Sequence, residues 1–194
     1  MTTRVPVGTS QESIDEMRAR EAIRSSELAE SGHLLRLWRP PLQPGEWRTL
    51  GLLGASDDGE LERVLASMPL RIWRTDGVTP LAPHPNDPKR SGLRAPMAPE
   101  NERTAEFLTI FAVSALKEAS AQTVDEILER GAACARELAD QGEGRALGLW
   151  QFADAADLRL ILESLPLYGS MTVETTPLGP HPNDPASIAG RRHG

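Results

Sequence analysis

The sequence predicts an α+β protein made of two related domains in tandem, and three observations carry that prediction. The hexapeptide Pro-His-Pro-Asn-Asp-Pro stands at Pro83–Pro88 and again at Pro180–Pro185, ninety-seven residues apart in a chain of 194. Upstream blocks repeat in the same register: Leu50-Gly51-Leu52 answers Leu147-Gly148-Leu149, Met68-Pro69-Leu70 answers Leu165-Pro166-Leu167, and Thr79-Pro80-Leu81 answers Thr176-Pro177-Leu178. Each half also alternates β-prone runs with amphipathic helical stretches in a β-α-β-β-α-β-like order, incomplete in both copies. Aligned blocks at one offset mark a duplicated segment, and the period is that of a small domain, too long for a solenoid repeat.

Copy one is expected over residues 1–88, a linker over 89–104, copy two over 105–185 and a tail over 186–194. The first strand of copy one is Arg4–Val7, cut short by the start of the chain. Its counterpart Glu106–Ser114 is fuller, with Phe107, Leu108, Ile110, Phe111 and Val113 supplying β-prone apolar positions. Helices follow over Gln11–Ser31 and Thr123–Gln141, with Gly32 and Gly142 where C-terminal glycines belong. Copy one then carries strands at His33–Arg39 and around Trp47–Leu53, flanking a turn at Pro44-Gly45. Copy two has four residues, 143–146, where copy one has seventeen, so a strand is lost there or something else fills its place. The second helices place Leu61, Val64, Leu65, Met68 and Leu158, Ile161, Leu162, Leu165 on one face each. Ser56 and Asp154 are the expected N-caps, and Pro69 and Pro166 the stops. Final strands over Arg71–Leu81 and Tyr168–Leu178 lead into the two hexapeptide loops. The linker holds Gly92, Pro96 and Pro99 and shows no apolar periodicity.

A net charge of -7 and an isoelectric point near 5.2 argue against nucleic acid and anionic membranes as partners. No apolar run approaches the roughly 20 residues of a membrane-spanning helix. The sequence opens without a hydrophobic signal core, and Cys134 is its one cysteine. The expectation is therefore a cytoplasmic protein without disulfides. The sequence has no Gly-rich phosphate loop, no ligand cluster at zinc spacing and no Ser-His-Asp arrangement, so neither cofactor nor metal is expected.

The first helix carries the signal for a site. Its inward stripe is traced through Ile14, Met17, Glu21, Arg24 and Leu28. A carboxylate and a guanidinium on a core-facing stripe are costly unless paired or wetted by a cavity, so Glu21 and Arg24 are functional candidates. The duplicate is an internal control: its stripe reads Val124, Ile127, Gly131, Cys134, Leu138, so the scaffold does not demand charge there. The plainer reading is a solvated cluster in which Glu21 pairs with Arg24 and Arg18, each three residues away. His84 and His181 belong to the repeated loop, where a loop-anchoring hydrogen bond is the commoner role. Trp38, Trp47 and Trp73 are core, interface or pocket wall, and Cys134 is an inert core thiol.

These features resemble the muconolactone Δ-isomerase family. The resemblance is carried by Val5-Pro6-Val7, the Arg18–Glu21 segment, Gly32 followed by Leu37-Trp38-Arg39, Glu60-Leu61, Met68-Pro69-Leu70, and Val78–Pro88 with its His84-Pro85. It spans most of the first half and, more weakly, Phe107–Pro185. It implies a ferredoxin-like fold, and with the duplication it implies an intrachain pseudo-dimer with packed antiparallel sheets, further assembled into a homo-oligomer. It also implies cofactor-free isomerisation of an unsaturated lactone, (+)-muconolactone to 3-oxoadipate enol-lactone, in aromatic catabolism. A proton leaves one end of an allylic system and another arrives at the far end, which requires a carboxylate shuttle, positive charge for the substrate carboxylate and a dry pocket. On this resemblance Glu21 is the proton shuttle, and Arg18, Arg24, Trp38, Arg39 and His84 bind a small lactone or carboxylate substrate. The second copy lacks Leu-Trp-Arg and has Leu128 and Gly131 in place of Arg18 and Glu21, so it is expected to be scaffold. A related isomerase or cyclase acting on another enolisable metabolite, or a non-catalytic ligand-binding protein, are the alternatives.

Overall fold

The computed structural model describes residues 1–83, 105–113, 144–165 and 168–187. It is a mixed helix and sheet structure with antiparallel sheets. The expected linker, the helix over Thr123–Gln141 and His84 lie outside the described residues. The chain divides into two compact units. The first joins Met1–Thr79 to the described residues from Leu178 onward, and the second takes the described residues between Pro80 and Pro177.

In the first unit, β1 (Thr2–Thr3) leads to α1 (Gln11–Glu30), β2 (Leu34–Arg39), β3 (Leu50–Leu53) and α2 (Asp58–Ala66). A 3-10 turn (Pro69–Trp73) and β4 (Arg74–Thr75) follow. Strand β1 is earlier and shorter than the expected Arg4–Val7, because Pro6 has no N–H to give a ladder. Its carbonyl instead accepts the Thr9 N–H at 3.2 Å and the Thr9 hydroxyl at 2.8 Å. Helix α1 begins at Ser10, whose hydroxyl accepts the Ser13 N–H at 3.2 Å, and ends before Gly32 at φ +78°, a left-handed position that glycine takes without strain. Helix α2 is capped by Asp57, which accepts the Glu60 N–H at 2.7 Å. The expected cap, Ser56, hydrogen-bonds the Glu60 carboxylate instead.

Strands β2 and β3 form an antiparallel hairpin, and β1 pairs antiparallel with β4. The expected strand over Arg71–Leu81 is reduced to two residues. The backbone before it is committed to the 3-10 turn, and Ile72, Val78 and Leu81 are exposed, so little apolar burial rewards a longer strand. Leu28, Leu34, Leu37, Val64 and Met68 make the core of this unit.

In the second unit, β5 (Ala105–Val113) and β6 (Gly144–Phe152) pair antiparallel without a break. Helix α3 (Ala155–Glu163) is capped by Asp154, as the sequence predicts. Its Leu158 and Leu162 pack with Phe107 into a second core. Strand β7 (Met171–Pro180) starts after a 3-10 turn at Tyr168–Ser170. Its last residues belong to the first unit, where Gly179 and Pro180 pair antiparallel with Arg39 and Trp38. The compact division thus departs from the sequence repeat: the end of copy two supplies an edge to β2 of copy one.

Candidate functional site

The first unit holds a cavity of about 310 Å³ between α1, β2, the 3-10 turn and residues 181–183. Each wall follows from local sequence. Residues i, i+4 and i+7 share a helix face, and on α1 the buried residues are Glu21, Ser25 and Leu28. Glu21 and Ser25 line the cavity. Alternate residues of a strand share a face, so Leu37 and Arg39 of β2 line it together.

Glu21 is 6 % exposed. Its Oε2 accepts the Leu70 N–H at 2.8 Å and its Oε1 accepts an Arg74 N–H at 3.1 Å. Arg74 is also ion-paired through Nε to Asp76 at 2.7 Å, and Asp76 in turn meets Arg71 at 2.7 Å. Arg74 therefore divides its charge between two carboxylates. Burial raises the Glu21 pKa above the ordinary carboxylate value, against the lowering effect of the Leu70 N–H and Arg74. Opposing influences that sequence alone leaves unsigned resolve in favour of desolvation.

Arg18 reaches the mouth of the cavity from the exposed side of α1, with its guanidinium 4.6 Å from the Trp47 ring centroid and 3.5 Å from Asp15. Arg39 stands on the opposite wall, with no ion-pair partner among the described residues. Among the side chains lining the cavity the charges are Arg18, Arg39 and Arg74 against Glu21, an excess of positive charge that suits an anionic ligand.

His181 closes the cavity from the second hexapeptide. Its Nδ1 accepts the Asn183 N–H at 3.1 Å, so the neutral ring carries its proton on Nε2. Burial, then the nearby Arg39 charge, push its pKa down to about 4, while Asp184 pulls it up. The loop is anchored by Asp184, 3 % exposed, whose Oδ1 accepts the Leu37 N–H at 3.0 Å. Arg36 donates to the same carboxylate at 3.2 Å.

The structure thus brings Arg18, Glu21 and Arg39 together and leaves two expected members out. Arg24 lies one position off the buried line and turns away, to Glu27 at 2.7 Å and the Ser67 hydroxyl at 3.0 Å. Trp38 is buried on the other face of β2 from Arg39, with Arg36 over its ring at 4.7 Å. Residues adjacent in a strand cannot share one wall. His84 lies outside the described residues, and the histidine observed at the cavity is its duplicate, His181. Sequence reasoning missed Ser25 and Arg74. A serine inside a helix and an arginine after a 3-10 turn carry no local signal, whereas the repeated hexapeptide did flag the segment that holds His181 and Asp184.

A family model described as muconolactone delta-isomerase matches residues 1–87 and 105–184, both halves of the chain. Muconolactone Delta-isomerase 1 of Acinetobacter lwoffii is 31% identical over 86 residues, which cover 44% of this chain and 86% of that protein. No solved structure gives a significant match. No helix among the described residues is long and apolar enough to cross a membrane.

Proposed function

This chain belongs to the muconolactone Δ-isomerase family, and from that premise we propose that the first-unit cavity isomerises an unsaturated lactone of muconolactone type. The observation that carries the reading is the placement of a buried carboxylate, Glu21, in a small cavity whose outer end bears Arg18 and Arg39. A volume of about 310 Å³ is at the small end of ligand sites, fitting a compact metabolite. The ligand carboxylate sits at the exposed arginines. The lactone ring points inward to Glu21 over the apolar side chains of Leu37, Met68 and Leu70.

Glu21 takes the proton from the γ-carbon of the ring. The C–H electron pair becomes the new ring double bond, the old double bond shifts toward the carbonyl, and the carbonyl pair moves onto oxygen to give a dienolate. Glu21 then returns the proton to the α-carbon and the electrons move back. The two steps balance without an oxidant, a metal or a cofactor. A raised Glu21 pKa brings the acid and base forms closer in energy, as a group that both accepts and donates a proton requires. Arg74 and the Leu70 N–H hold the carboxylate in place and leave lone pairs free for the substrate.

The ferredoxin-like description of each copy, their pairing as an intrachain pseudo-dimer and a cytoplasmic homo-oligomer belong to the same proposal, supported by the duplication, family membership and the single cysteine. A second reading takes Glu21 as a structural pin between α1 and the 3-10 turn, in a protein that binds a carboxylate without turning it over. The hydrogen bonds of Glu21 to Leu70 and Arg74 favour it. The test is purified protein with (+)-muconolactone, followed by the loss of conjugated-butenolide absorbance. Enzyme-dependent decay is expected. Binding without decay sinks the isomerase reading in favour of the second one, and decay of other enolisable lactones alone moves the substrate.

A further inference from the structure

Ser25 is the most deeply buried polar group of the cavity wall, 1 % exposed, and its hydroxyl has no hydrogen-bond partner among the described residues. A buried hydroxyl in that state is unusual. Serine in the middle of a helix ordinarily bonds the carbonyl one turn back, and Ser25 does not use that partner. The position is also specific: Ser25 follows Glu21 by four residues, so the two side chains stand one above the other on the same wall. A buried, unpartnered hydroxyl one turn from a buried carboxylate, on a residue of the cavity wall, lacks the acceptor that a ligand oxygen could supply.

The cavity has a polarity gradient that decides which oxygen. Its cationic end is exposed, since the Arg18 side chain is 54% accessible, and Arg39 is exposed as well. Glu21 and Ser25 form the buried end. A ligand held by its carboxylate at the arginines must place its ring carbonyl inward, beyond their reach. Arg74, another inner donor, is committed to Glu21 and Asp76, and the Thr3 hydroxyl, less deeply buried at 8 %, lines the cavity without an orphaned oxygen.

We propose that the Ser25 hydroxyl donates a hydrogen bond to the lactone carbonyl oxygen and holds it as the dienolate forms. The inference rests on the isomerase reading for its substrate and adds a residue to it. The oxygen is neutral in the substrate and charged in the dienolate, so the bond strengthens as the proton leaves and acts mainly on kcat.

Ser25→Ala removes only the hydroxyl. It is expected to lower kcat on (+)-muconolactone roughly 10²-fold with KM changed less than about 3-fold. The melting temperature should hold or rise, since an unsatisfied buried group is gone. Ser25→Cys, similar in size with a weak S–H donor, should fall between the two. Wild-type turnover with an unchanged Ser25→Ala kcat overturns the role of Ser25 and leaves the isomerase reading intact. A parallel loss of kcat and melting temperature makes Ser25 structural and also overturns it. Should the wild type not turn over muconolactone, the isomerase reading fails, and calorimetry with the saturated analogue 4-carboxymethylbutanolide decides the hydroxyl. Binding weakened by Ser25→Ala about two- to threefold, the ground-state share of the bond, supports a Ser25 contact to the carbonyl, and equal or undetectable binding by both proteins overturns it.

Discussion

The Leu37 backbone N–H donates to the Asp184 carboxylate at 3.0 Å, joining the central strand of copy one to the hexapeptide of copy two across 147 residues. Leu37 lines the cavity and Asp184 stands three residues after His181, so this bond sets where the histidine sits. Arg36 reinforces it at 3.2 Å. Asp184→Ala removes the acceptor and leaves a buried N–H and a half-buried guanidinium without it. A loss of about 2–4 kcal/mol is expected in denaturant unfolding followed by tryptophan fluorescence. A raised KM should accompany it, because the loop carrying His181 is released. An unchanged unfolding midpoint would mean that the loop is held by other contacts.

Glu21→Gln keeps the shape of the side chain and removes its basicity. Its amide oxygen can still accept the Leu70 N–H, while its NH2 group faces Arg74 and repels it. Turnover of the assigned substrate should drop by roughly 10²–10⁴ in kcat, with circular dichroism unchanged. Wild-type kcat in the variant would leave Glu21 the structural pin of the second reading.

Arg39 separates binding from chemistry. It is an exposed residue of the cavity wall, where Glu21 is buried. Losing one charge-assisted hydrogen bond to the substrate carboxylate weakens binding by about 1.5–3 kcal/mol, roughly 10–100-fold. Arg39→Met, which keeps most of the apolar stem, should therefore raise KM by that factor and leave kcat within a few-fold. A fall in kcat at constant KM would place Arg39 at the reacting atoms instead.

Elements with strong periodicity were legible in the sequence: β2, β5, β6 and the two capped helices α2 and α3 lie close to where their apolar patterns put them. The site was legible only in part. Positions 24 and 25 straddle the inward line of α1, and both are polar there, so hydrophobic spacing does not tell the cavity-facing Ser25 from the outward Arg24. Trp38 and Arg39 belong to one recognisable block, yet a strand sends neighbours to opposite faces, and each face of β2 holds buried residues, Leu37 on one and Trp38 on the other. The hexapeptide was recognisable as a repeat. Which copy of it serves the first unit depends on the pairing of β7 with β2, a long-range choice with no local residue signal. Local spacing does not report which charges a folded chain will bury, and Arg74 was invisible for that reason.

His181 gives the protein a pH dependence with a defined sign. Its ordinary value is 6.5, and in the folded state it is lowered to about 4 by burial and by Arg39. The folded chain therefore holds the ring neutral where the unfolded chain has already protonated it. This contribution to stability is fully present above about 6.5 and is lost progressively as the pH falls toward about 4, because there the unfolded state binds the extra proton. Thermal unfolding should show a decline across that window that is absent in His181→Gln, whose side chain is uncharged throughout. Activity of the wild type should not follow the free-histidine titration near 6.5, because the ring stays neutral with its proton on Nε2 through that range. Melting curves of wild type and His181→Gln that run parallel from pH 7 to pH 4 would show that the ring is solvated, and with it that the second hexapeptide does not close the cavity in solution.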